Sequence, residues 1–298
     1  MSSNYTYKAF GLIIQSELEI PEFTPSNEIA DVEITMEKVP EKLDRVIKKG
    51  VKYQTARDEF LLEVDHIAKY YVKNGNRISI ETLTNYTDKE VRLFLLGSAF
   101  GALFLQRGLL PIHGSAIKFG NSACIFSGLS GVGKSSIAAT LVLKGFQFLA
   151  DDICVIDTNL NVVPGFPHMK IWKDILDNLE IKTDTLTEIR PEIKKYHLPV
   201  DDGFYNESLP LAKIFIINTK NTPGYEFEEL KGLQKFNAVK NNTYRYRFVG
   251  GLDKQLDHFQ TLNKLLPEIK VYRVSRPQSP IMLEEFADFL IKTFKLDA

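Results

Sequence analysis

Two glycines, a lysine and a serine at the offsets G-x-x-x-x-G-K-S lie within the string GLSGVGKSS at positions 128–136. That combination suits the holding of a chain of phosphates. Gly128, Gly131 and Gly133 let the backbone turn tightly, so that the N–H groups of Leu129, Ser130 and Val132 can face an anion. Lys134 can reach the β- and γ-phosphates, and the Ser135 hydroxyl can ligate Mg²⁺. Ser136 then belongs to a helix whose positive N-terminal end faces the bound charge. The flanks agree: Ala123, Cys124, Ile125 and Phe126 read as a buried strand, and residues 136–144 as a helix stopped by Gly145. A nucleoside triphosphate is the expected ligand.

The next chemistry lies 16 residues past Ser135, where Asp151 and Asp152 interrupt an apolar run at 146–157. Carboxylates in such a run are costly without a cation. One helix and one strand bring them back beside the loop, where Mg²⁺ would supply the charge. One carboxylate can hold the metal while its neighbour takes a proton from an attacking hydroxyl. His113, in the apolar segment before Gly114, sits on a strand expected next to the loop strand. It could stabilise phosphoryl oxygens or orient an aspartate.

Other polar residues point less far. Arg245 and Arg247 alternate along an expected strand at 243–248, and they could clamp a phosphate or, more simply, pair across strands. The same alternatives hold for Arg273 and Arg276. Asn218 to Asn221 resembles a guanine-reading Asn-Lys-x-Asp but lacks the aspartate, so it assigns no base. His66, His168, His197 and His258 are expected as surface or core residues, and Lys194 with Lys195 as a solvated charge pair.

The elements that must position these groups follow from patterning. Residues 1–86 are expected to be a β-rich N-terminal lobe. Residues 5–20 alternate roughly and 31–37 cleanly, and Asn74-Gly75 is a hairpin turn between strands at 67–72 and 77–82. The segments near Pro21 to Pro25 and 37–49 read as loops or short helices. A capping box at Thr87 to Glu90 predicts a helix to about Gln106, ending near Gly108, with Gly97 and Gly101 allowing close packing. That helix is read as the bridge into a P-loop domain at 87–298. Strands are expected at about 111–118, 123–127, 146–156, 212–217 and 270–275, and helices at 172–179, 251–266 and 282–294. Residues 180–210, with Pro191, Pro199, Gly203 and Pro210, read as a mobile lid or substrate loop. The fold class is thus α/β, a P-loop nucleotide-binding core behind a smaller β-rich lobe.

Composition bounds the function. The chain has 298 residues and 44% hydrophobic residues, enough for a large core, and a net charge of −1 argues against a nucleic-acid partner. Its two cysteines, Cys124 and Cys154, lie in apolar runs and read as free thiols in a reducing compartment. No zinc-type cluster stands out. The start lacks the features of a signal peptide, and the apolar run at 93–105 is too short for a span. A cytoplasmic protein without a membrane partner is expected, and a homo-oligomer is left open.

His113-Gly114, GLSGVGKSS at 128–136 and Leu-Ala-Asp-Asp at 149–152, in this order and at this spacing, resemble the HPr serine kinase/phosphorylase family. Residues 7–18, Pro164 to Pro167 with Ile171-Trp172, and 271–277 look like its subgroup of HPr-kinase-like lasso-peptide precursor kinases, which phosphorylate a serine at a peptide's C-terminus. The resemblance implies a P-loop core like the HPr kinase C-terminal domain and an ATP-dependent kinase using Mg²⁺. It implies residues 128–136 as the nucleotide loop with Lys134 catalytic. Ser135 and Asp152 would hold the metal, Asp151 would be the general base and His113 a supporting residue. The acceptor would be a serine-bearing peptide or small protein. The glutamate-and-glycine signature of true HPr kinases has no clear match beyond Glu207, and the N-terminal lobe is unlike theirs, so HPr itself is not implied. Two other readings compete: a nucleotide-gated peptide-binding module without transfer, and a small-molecule kinase.

Overall fold

The computed structural model describes residues 4–84, 86–178, 181–184, 186–190, 193–200, 202–279 and 282–296. They divide into two compact units: residues up to Pro111 with Thr243–Asn263, and Ile112–Asn242 with the residues from Lys264 onward. The first unit contains a nine-stranded sheet in the order β3-β1-β2-β4-β9-β8-β7-β6-β5. Its strands are β1 (Tyr5–Ala9), β2 (Leu12–Ser16), β3 (Thr24–Pro25), β4 (Val32–Met36), β5 (Lys48–Lys49), β6 (Tyr53–Ala56), β7 (Glu59–Val64), β8 (Ala68–Lys73) and β9 (Arg77–Thr82). The alternation at 5–20 is therefore a hairpin. Phe10 and Gly11 both take positive φ, 55° and 68°, to turn the chain. That conformation strains a phenylalanine, and burial of its ring 5.0 Å from Phe104 and 5.8 Å from Phe100 holds it there. Asn74 and Gly75, at φ 54° and 68°, make the expected tight turn.

The capping box is present: Thr87 Oγ1 accepts from Glu90 N at 3.3 Å and Glu90 Oε2 from Thr87 N at 3.0 Å. The helix runs as α1 (Asp88–Phe94), a π-turn at Leu95–Ala99 and α2 (Phe100–Gln106). A side-chain Cβ at Gly101 would lie 3.1 Å from the Tyr244 ring, so close packing is what that glycine permits. The helix packs on β8, with Tyr70 donating to Val91 O at 2.9 Å, and Gln106 clamps the hairpin by accepting from Gly75 N at 2.8 Å. It therefore belongs to the first unit, and the division falls at 111/112 instead of 86/87.

The second unit centres on a seven-stranded sheet. It comprises β10 (Leu110–Phe119, whose first two residues lie in the first unit), β11 (Ser122–Gly128), β12 (Phe148–Ile156), β13 (Asn161–Val163), β17 (Leu209–Lys220), β18 (Glu226–Glu229) and β19 (Lys270–Pro277), in the order β11-β10-β12-β13-β17-β19-β18. β11 also pairs with β17, so the first five strands of that order close on themselves. β11, β17 and β19 run parallel. α3 (Lys134–Leu143) follows β11 and packs against α7 (Leu283–Phe294). Ile137, Leu141, Phe126, Phe215 and Phe286 share one buried cluster between sheet and helices.

Residues 180–210 are not a loop through their described length. β14 (His168–Trp172), β15 (Thr187–Arg190) and β16 (Ile193–Pro199) form a separate sheet, with α4 (Lys173–Asn178) between the first two. Tyr196 and Leu198 pack on the main core, which outweighs the turn-rich composition. Leu179, Glu180 and Pro191 lie outside the described residues.

After α5 (Gly232–Asn241) the chain returns to the first unit, and there the expected strand at 243–248 is absent. Arg245 has φ 54° and Tyr246–Phe248 is a 3₁₀ turn, because Phe248 inserts its ring 4.6 Å from Phe60 and 4.8 Å from Tyr53. The Arg245 guanidinium lies over Tyr244 and that of Arg247 over Tyr53. α6 (Gln255–Leu265) then leads back to β19. No helix among the described residues is long and apolar enough to cross a membrane.

Candidate functional site

The glycine-rich loop leaves the C-terminal end of β11 at Gly128 and enters α3 at Lys134. Gly128 has φ 138°, and a Cβ there would lie 2.5 Å from Ile217 O, so only glycine lets the loop pass β17. Gly133, at φ 97°, caps α3 and no side chain caps that end, so its first N–H groups face the loop's hollow without a side-chain acceptor. Lys134 is buried. Its Nζ donates to Leu129 O at 3.0 Å and Gly128 O at 3.2 Å, curled over the loop. Burial pushes its pKa down, while Asp151 and Asp152 pull the other way. From β19, Arg276 Nη2 donates to Val132 O at 2.9 Å and braces the loop from the side.

The two aspartates separate. Asp151, 6% exposed, accepts from Ser135 Oγ at 2.8 Å, Ser115 Oγ at 2.6 Å and the Lys170 backbone N–H at 2.8 Å. These are neutral donors on a buried carboxylate, a setting that favours a cation. Asp152 has φ 70°, which breaks the regular alternation of β12. Its Oδ2 accepts from Lys170 Nζ at 2.8 Å, and its Oδ1 lies 3.5 Å from His113 Nδ1. Burial opposes its charge, but Lys170 and His113 outweigh burial and hold its pKa well below the usual carboxylate range. His113 Nδ1 also lies 2.9 Å from Asp152 O. A carbonyl only accepts, so Nδ1 carries the proton and Nε2 is the acceptor nitrogen. Burial, then the Lys134 charge, lower the His113 pKa, while Asp152 and Asp151 pull it the other way.

Compared with known proteins, the chain matches no protein-family model and no curated protein. Among solved structures it is similar to the HPr(Ser) kinase/phosphatase from Coxiella burnetii, at 11% identity and a TM-score of 0.30, over 62% of this chain and 95% of that one. A likeness of that size carries no argument about activity. The function must come from the site.

The site brings together Lys134, Ser135, Asp151, Asp152 and His113, with one change of partners: Ser135 meets Asp151 and not Asp152. No group of three His, Cys, Asp or Glu suited to a metal occurs among the described residues. The donors that fit Mg²⁺ are the Ser135 hydroxyl and the Asp151 carboxylate, with the remainder left to phosphate and water. Lys170, Ser115 and the bracing role of Arg276 were not legible as site residues. Lys170 sits in an unremarkable alternating strand, and only the sheet β14-β16-β15 carries it to the acidic pair. Arg273 pairs across strands with Glu228, as the simpler reading had it, whereas Arg276 does not. Lys195 lies over Trp172, and its charge acts on both Lys134 and Asp152. Glu207 is exposed and accepts from the Tyr205 hydroxyl, with no contact to the acidic pair among the described residues. Cys124 and Cys154 are buried free thiols, Cys124 pushed up to about 12 by burial.

Proposed function

We propose that this chain is a kinase that binds a nucleoside triphosphate with Mg²⁺ and transfers the terminal phosphoryl group to a serine hydroxyl of a peptide or small protein. One observation carries the reading: beside a single lysine-bearing loop, one aspartate is committed to the loop serine and its neighbour to a histidine. Phosphoryl transfer is mostly positioning and charge neutralisation, and this site supplies both. Residues 128–136 cradle the phosphates, and Lys134 Nζ exchanges two carbonyls for phosphate oxygens. Ser135 and Asp151 would hold the metal, which when bound would supply positive charge against the phosphates. Asp152 would receive the acceptor's hydroxyl proton as its oxygen bonds to the γ-phosphorus and the β–γ bridging oxygen leaves with the diphosphate. His113 orients Asp152, and Lys170 keeps it ionised. This exchanges the roles that resemblance assigned to the two aspartates.

The resemblance to lasso-peptide precursor kinases supports ATP as donor and a peptide's C-terminal serine as acceptor, and the buried thiols fit the cytoplasm. The test is incubation of purified protein with Mg²⁺, γ-labelled ATP and serine-bearing peptides, those encoded beside its gene above all. Label should reach serine, and Lys134→Ala or Asp151→Asn should abolish it. The Lys170–Asp152 ion pair favours one other reading, a nucleotide-gated peptide-binding module, since it occupies the carboxylate that transfer would need. Intact ATP recovered after long incubation with acceptor would select that reading.

A further inference from the structure

The parallel strands of the second unit end in a crevice that phosphate chemistry does not use. Register pairs Gly128 with Ile217 and Ile217 with Val274, so β17 and β19 continue for three residues past the level at which the loop leaves β11. Ligands of parallel sheets bind outside such carboxyl ends. There residues beyond the ends of β17 and β19 border an open pocket of about 570 Å³, lined in part by Asn221, Tyr225, Gln278 and Met282 and by the charged Lys220 and Glu285. The size suits a small-molecule site, about 300–1,000 Å³.

The walls are preformed. The Tyr225 ring stacks on Phe286 and Phe289 at 5.3 and 5.0 Å, and Gln278 N donates to Lys220 O at 2.9 Å, tying the two turns together. Arg276 joins this pocket to the phosphate loop. Its Nη1 donates to Pro277 O at 2.8 Å and its Nη2 to Val132 O at 2.9 Å. One buried guanidinium therefore separates the pocket wall from the cradle.

We propose that this pocket holds the base and ribose of the nucleotide whose phosphates lie in the cradle, a subsite that rests on the phosphate-loop reading. Proline, tyrosine and methionine offer flat and adaptable apolar contact to a heteroaromatic ring. The amides of Asn221 and Gln278 offer both donors and acceptors to its edge.

The test compares ATP with inorganic tripolyphosphate, which has phosphates and no base, both with Mg²⁺ in a calorimeter. Gln278→Trp fills the pocket from an exposed position, and Met282→Ala removes a wall. Gln278→Trp should weaken ATP by roughly tenfold, equivalent to about 1.4 kcal/mol, and Met282→Ala in the same direction by less. Tripolyphosphate binding should be unchanged in both, which also shows that the cradle is folded. Unchanged ATP affinity in both variants overturns the proposal, as does a raised KM for the peptide acceptor with ATP affinity intact. Wild-type protein that binds neither probe overturns the phosphate-loop reading itself.

Discussion

Asp151 and Asp152 are adjacent in the chain and separated in chemistry by one backbone angle. With Asp152 at φ 70°, its carboxylate reaches His113 and Lys170 while Asp151 stays on Ser135. The two asparagine variants should therefore differ in kind. Asp151→Asn is expected to weaken Mg²⁺-nucleotide binding. Asp152→Asn should leave that binding nearly intact and lower turnover by about 10²–10⁴, the usual worth of a positioned base. Calorimetry with and without Mg²⁺, alongside label transfer, reads both; the opposite pattern would return the metal to Asp152. The residue types and spacing were legible in the sequence because the loop motif and an acidic pair in an apolar run are local signals. Which partners each aspartate meets was not, because that depends on a left-handed residue inside a strand.

Elements set the precision of these groups. The passage of the loop across β17 leaves no room at Gly128, so Gly128→Ala combines overpacking with a strained φ and should cost about 3 kcal/mol. A fall in the urea midpoint would be the readout, with an unchanged midpoint against it. In the first unit, Glu37 accepts from Ser79 Oγ at 2.5 Å and Thr35 Oγ1 at 2.9 Å and pairs with Arg77 at 3.1 Å, tying the end of β4 to β9. Those hydrogen bonds, Ser79 first, lower its pKa from 4.5. The unfolded chain then binds the proton first on acidification, so this contribution is present above pH 4.5 and lost as pH falls through the lower folded value. Glu37→Gln should flatten the acid limb of the stability curve and leave its neutral plateau in place. The Asn74-Gly75 hairpin, the capping box and the α3 boundary were readable, since each rests on neighbours in sequence. β6 and β7 were not anticipated, because their pairing partners, not their own patterning, define them.

At the scale of the whole chain, each unit is assembled from discontinuous segments. Phe248, fully buried, is carried by the return at Thr243–Asn263 into a site between Tyr53 and Phe60. Phe248→Ala should destabilise the protein by about 3–5 kcal/mol, seen in chemical denaturation. A fragment ending at residue 111 should fail to fold cooperatively without that ring. The strand expected at 243–248 misread alternating arginines as a sheet face. Aromatic anchoring to residues nearly 200 positions earlier decided the turn instead.

The sequence by itself determined the glycine-rich turn between a strand and a helix, the acidic pair, the order of the main strands and helices around them, and an α/β class, because turn chemistry and hydrophobic period act over a few residues. Tertiary structure alone decided the division at 111/112, the partner of each aspartate, the arrival of Lys170 and Arg276, and the pocket beyond β17 and β19. These depend on side chains far apart in the chain meeting under close packing, which no local pattern encodes.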